Sequence, residues 1–147
     1  MRLLKKLAKL FNLSSNKLKR GDFIPPESYL LRRVFFKDKK HLKPDGTLSS
    51  RAFTPRPKKD DGKLSVNLEE YTIDLNEAIQ DLEKFRFYKF KANDAYQIGL
   101  NCVYDPIEKS DSQDANLAHS YVEGFAENDE SRAAILARVA VRVPFPD

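Results

Sequence analysis

The sequence predicts an α+β domain, with a mixed sheet of about five strands and helices packed on it. Three observations carry that prediction. Short β-branched and aromatic runs are interspersed with segments of helical periodicity. No series of regular βαβ units links them, so a doubly wound parallel fold is not expected. The chain has 147 residues, 41% of them apolar and 33% charged. That suits one core rather than two, and it lies outside the disordered class.

The elements follow in order. Leu3, Leu4, Leu7, Leu10 and Phe11 fall on one helical face, with Arg2, Lys5, Lys6 and Lys9 opposite. Residues 1–20 therefore predict a basic amphipathic helix, ended before Pro25-Pro26. Residues 21–147 form the α+β domain. Its first strand is expected over residues 28–36. Pro44-Asp45-Gly46, Pro55, Pro57 and Asp60-Asp61-Gly62 then mark a long loop region, 37–63. Within it, residues 47–53 suit a short strand or a turn of helix. A loop region of that length in a small domain is usually functional or mobile.

Leu64-Ser65-Val66 reads as a short strand. Leu75, Ala78, Ile79 and Leu82 mark a helix, with Asp74 placed as its N-cap and Glu77 as the capping-box partner. Alternation over 86–91 predicts a strand with Phe87 off the face of Tyr88 and Phe90. A short helix should follow Asn93-Asp94 and stop at Gly99. Strands are expected over 100–104 and 117–122, and a final helix from Asp129 or Ser131 to about Val141, before Pro144.

Charge is unevenly divided. Residues 1–63 hold 18 Lys/Arg against 6 Asp/Glu, and residues 64–147 hold 8 against 16, so the halves carry +12 and −8. Either the halves neutralise each other in the fold, or a basic face meets an anionic partner. An acidic protein is the favoured partner, nucleic acid a possible one and an anionic membrane surface a weaker one. No apolar run reaches the roughly 18 residues of a membrane span, so no transmembrane segment is expected. One cysteine, Cys102, sits in an apolar stretch and reads as a core residue. With no disulfide to form, the chain fits the reducing cytoplasm.

Strong chemical motifs are absent from the sequence: no Gly-rich phosphate loop, no Cys/His set with zinc spacing, no nucleophile elbow. Two polar clusters stand out instead. Asp111, Asp114, Asn116 and His119 place carboxylates before a histidine on a strand, a pattern suited to general acid–base work. Arg32, Arg33, Ser49, Ser50, Arg51 and Ser65 offer guanidinium and hydroxyl groups to an anion. Strand alternation sends Arg32 and Arg33 to opposite faces, so only one is expected at a given site. His41 lies in the basic loop. Lys5, Lys6 and Lys9 are further candidates for anion or partner binding, as are Ser49, Ser50 and Arg51. Phe35, Phe36 and Phe53 lie among the cations.

Leu30-Leu-Arg-Arg-Val-Phe35, Asp45-Gly-Thr-Leu-Ser-Ser-Arg-Ala-Phe53, Lys63-Leu-Ser-Val66 and Asn116-Leu-Ala-His-Ser-Tyr-Val-Glu-Gly124 together resemble a family of small uncharacterised bacterial proteins. The likeness spans about residues 28–142 and implies no particular activity. A fainter one is to ADP-ribosyltransferase-like, NAD-processing toxins, which carry an Arg on the first strand, a Ser opening a later strand and a Glu near the end. It implies an Arg32 or Arg33 that anchors the pyrophosphate of NAD, a Ser65 that positions the ribose, and a Glu123 that stabilises an oxocarbenium. Two functions are therefore expected: an interaction module whose basic half binds an anionic partner without a cofactor, or a small NAD-processing enzyme using Arg32 or Arg33, Ser65, His119 and Glu123.

Overall fold

Side-chain alternation along the first strand, β1 (Tyr29–Phe35), builds both faces of the molecule. Leu30 and Val34 enter a large core, while Leu31 enters a small second one. The structure, a computed structural model, describes residues 17–56 and 61–144. The basic helix expected at the N-terminus, with Lys5, Lys6 and Lys9, lies outside the described residues apart from its last few positions.

β1 is flanked by β2 (Leu64–Leu68) and β3 (Phe85–Lys91). The sheet is completed by β4 (Asn101–Tyr104), β5 (His119–Glu123) and β6 (Val141–Arg142), in the order β4-β5-β2-β1-β3-β6. The fold is α+β. Its sheet has six strands rather than about five, and every pairing is antiparallel rather than mixed. Helices α1 (Leu75–Ile79) and α2 (Ala92–Tyr96) have five residues each, short for the crossover helix a parallel neighbour uses. The extra strand, β6, takes up the residues expected to end the final helix, α3 (Glu130–Val139).

One sheet face carries the main core. Phe90, Leu64, Leu68, Cys102 and Val122 lie beneath α2, α3 and a 3-10 turn over Ser50–Phe53. Phe53 is fully buried, edge-on to Phe90 with ring centroids 5.8 Å apart. It therefore belongs to the core and not to a basic binding surface. Cys102 is also fully buried, and desolvation pushes its thiol pKa up to about 12. It is a core residue with no thiolate to offer as a nucleophile.

On the opposite face Ile79 of α1 packs with Leu31 and Phe87 in a small cluster edged by Phe85 and Val143. The Asp74 carboxylate caps α1 as expected, accepting the Asn76 and Glu77 amides. The helix stops at Ile79, short of Leu82, because Gln80 has φ 68° and ψ −51° and the Asp81 amide donates back to the Ile79 carbonyl. This is a γ-turn of the positive-φ kind, which stores backbone strain. Beyond the short α1, the sheet face is left open over β2 and β5. Among the described residues, no helix is long and apolar enough to cross a membrane.

Candidate active site

The odd-numbered residues of β2 and β5 share the open face. In their register Ser65 lies opposite Tyr121, and Asn67 opposite His119. Backbone pairing between β1 and β2 covers only Leu30↔Leu68 and Leu31↔Asn67. Beyond it, the Arg32 side chain does the bridging: its guanidinium donates to the Ser65 carbonyl at 2.9 Å and to the Ala52 carbonyl at 2.9 Å. A cleft of about 290 Å³ opens here, lined by Arg32, Arg33, His41, Ser65, Asn116 and His119 among others. Alternation alone would have left one arginine out. Both reach the cleft because the strands stop pairing, Arg32 serving as its floor and Arg33 as its wall.

His119 Nδ1 lies 2.8 Å from the backbone carbonyl of Asp105 and 3.6 Å from its carboxylate. A carbonyl only accepts, so Nδ1 carries the proton and Nε2 keeps its lone pair. Nε2 lies 3.4 Å from Ser65 Oγ. Asp105 is itself held by Arg20, whose guanidinium donates to the carboxylate and to the Pro106 carbonyl, each at 2.6 Å. A hydroxyl, an imidazole acceptor and a group that orients the imidazole thus stand in sequence, the arrangement of an activated nucleophile. A carboxylate was expected beside His119 from Asp111 or Asp114. Both are exposed, and the carboxylate that approaches is that of Asp105.

Arg33 is half-buried, and that desolvation lowers its pKa from the usual guanidinium value. It donates to the Gln80 amide oxygen at 2.5 Å and stacks 4.7 Å from the centroid of Phe85. Among the described residues no carboxylate pairs with it. A desolvated cation held by a neutral amide and a ring is poised to gain from an anion. Gln80 reaches it from the strained γ-turn at the end of α1.

His41 comes from the long loop. Its Nδ1 accepts the Phe35 amide at 3.0 Å, so its proton sits on Nε2. Burial lowers its pKa most, and Arg32 lowers it further against a smaller lift from Asp38. His41 is therefore a neutral donor at the cleft. The sign of its effect on stability follows. As pH falls through about 6.5 the unfolded chain takes up this proton first. Stability is full above that pH and declines below it, until the folded imidazole protonates too. Urea unfolding at pH 7.5 and 5.5 should show a larger loss for the wild type than for His41→Asn, whose amide oxygen can still accept the Phe35 amide.

Other expected residues lie elsewhere. Glu123 is four residues along β5 from His119, about 13 Å at the rise of a strand, and does not line the cleft. Ser49 caps the 3-10 turn, its hydroxyl accepting the Arg51 amide at 3.2 Å, and the Ser50 carbonyl accepts the Thr54 hydroxyl at 2.9 Å. Arg51 is exposed, and none of the three lines the cleft. A larger cavity, about 740 Å³, opens among Lys17, Glu27, Tyr29, Glu69 and Glu70. The Ser28 hydroxyl there donates to the Glu70 carboxylate at 2.7 Å. Among the described residues no arginine or histidine lines the cavity, and Glu27 and Glu69 add further negative charge, so an anion is better served by the smaller cleft. Among the described residues no cluster of His, Cys, Asp and Glu is arranged to hold a metal. No protein family, curated protein or solved structure matches the chain.

Proposed function

We propose that this protein is a small phosphoester-cleaving enzyme, with its active site in the cleft between β1 and β2. The observation that carries the reading is convergence. Arg33, His41, Ser65 and His119 come from separate stretches of chain and meet at one opening. Within it the acceptor nitrogen of His119 faces a hydroxyl.

The chemistry runs in two steps. His119 Nε2 takes the Ser65 hydroxyl proton as Oγ bonds to phosphorus, and the bond from phosphorus to the leaving oxygen breaks. The imidazolium returns its proton to that oxygen. In the second step His119 takes a proton from water, whose oxygen displaces Ser65 from phosphorus, and Ser65 Oγ recovers the proton. Arg33 and the neutral His41 donate to the phosphoryl oxygens as charge builds on them.

Arg33 is expected to act mainly in binding. Arg33→Ala should raise the KM for bis(p-nitrophenyl) phosphate about 10- to 100-fold, the worth of a charge-assisted hydrogen bond at 1.4 kcal/mol per tenfold. An unchanged KM would remove Arg33 from the site. An NAD-processing reaction would need Glu123 at the reacting centre, and its place along β5 speaks against that version. A second reading is favoured by the uncompensated Arg33: a binding module that holds an acidic protein or another anion without reacting. Wild-type protein with no turnover, but with anion binding lost in the Arg33 variant, would support that reading instead.

A further inference from the structure

Ser65 stands between two aromatic–cation pairs. On one side, directly opposite it in register, Tyr121 lies half-buried with the Lys63 ammonium 4.7 Å from its ring centroid. On the other, Arg33 stacks on Phe85. Lys63 is exposed and free to swing off the ring. The loop that delivers His41 carries Lys37, Lys39, Lys40 and Lys43, all exposed. A single phosphate needs only the guanidinium. An aromatic face beside the reacting hydroxyl, with cations continuing along one side, suits a ligand that repeats base and phosphate.

We infer that the substrate is a single-stranded polynucleotide. This rests on the phosphoester reading and adds the substrate class to it. One base stacks on Tyr121 while Lys63 moves to a phosphate, the scissile phosphate sits over Ser65 and Arg33, and the following phosphates run along the lysines of residues 37–43. Glu123, two residues past Tyr121 on the same face, ends the basic band. The loop before β5, with exposed Glu108, Asp111 and Asp114 against a single Lys109, offers a polyanion no comparable run of cations. An acidic protein could meet the same lysines, but it would have no use for the Tyr121 face.

The test is fluorescence anisotropy with a labelled 12-nucleotide oligo(U), using the Ser65→Ala variant so that nothing is cleaved. The oligonucleotide should bind at least about tenfold tighter than UMP competes. With three phosphates engaged, affinity should fall more than tenfold between 50 and 200 mM salt, from the single-strand slope of about 0.7 per contact. Lys63→Glu should weaken binding and reduce that slope, and Tyr121→Ala should weaken it about tenfold with the slope unchanged. Equal affinity for UMP and oligo(U), salt-independent binding, or full binding in both variants would overturn the inference. Turnover of bis(p-nitrophenyl) phosphate by the wild type is read separately. If it is present while oligo(U) fails to bind, only the substrate class is wrong. If it is absent while oligo(U) binds as described, the catalytic reading fails and the polynucleotide site stands.

Discussion

Ser65→Ala should lower phosphoester turnover by at least about 10²-fold while leaving the melting temperature within a degree or two. The hydroxyl is exposed in the middle of β2 and makes no contact that holds the sheet together. Surface changes of that kind cost about 0.5 kcal/mol or less. Its chemical role has no substitute in the cleft, so the loss falls on kcat. His119→Ala should lose a similar factor and abolish any pH dependence of kcat/KM that arises from the base. It should also cost about 1 kcal/mol of stability, because the Asp105 carbonyl loses its donor. Combining the two changes should cost little more than either alone, since both remove one unit. Additive losses would mean that the two side chains do not work as a pair.

The second large effect is on stability. Phe53→Ala should cost about 3–5 kcal/mol, the usual range for emptying a buried aromatic site. At about 2–4 °C per kcal/mol for a chain of this size, the melting temperature should fall by about 10 °C. Phe53 is fully buried and edge-on to Phe90. It also anchors the 3-10 turn whose Ala52 carbonyl accepts from Arg32. The core below the sheet and the floor of the cleft are thus tied through one turn. Activity in Phe53→Ala should fall even at temperatures where the protein remains folded. A loss of less than about 1 kcal/mol by thermal unfolding would show that the turn is not packed as described.

The sheet was legible where side chains alternate. β1 reads as a β-branched and aromatic run, and in β3 Phe87 falls off the Tyr88 and Phe90 face as its position implies. Helix ends were legible where a side chain or a glycine sets them. Asp74 caps α1, and the turn after α2 closes at Gly99, with φ 80°. β6 was hidden because two residues show no period. The early end of α1 was hidden because nothing in Gln80 announces a positive φ.

In the cleft, Arg32, Arg33, Ser65 and His119 could be picked out by residue type. Asp105, Gln80 and the role of His41 could not. Their contacts depend on where a loop crosses a strand that has lost its neighbour, and no spacing in the chain encodes that. Asp105-Pro106, directly after a strand, was the one local hint of a fixed turn there. The same break in pairing lets both arginines line the cleft, Arg32 through bonds to the Ser65 and Ala52 carbonyls and Arg33 as the guanidinium facing a ligand.

Covalent labelling with a fluorophosphonate shows whether His119 activates Ser65. The reagent phosphonylates a serine whose hydroxyl is deprotonated by a neighbouring base as it attacks. A single adduct is expected, located by peptide mass spectrometry at Ser65, absent in Ser65→Ala and strongly slowed in His119→Ala. Labelling that is spread over several serines, or that proceeds equally fast without His119, would contradict it.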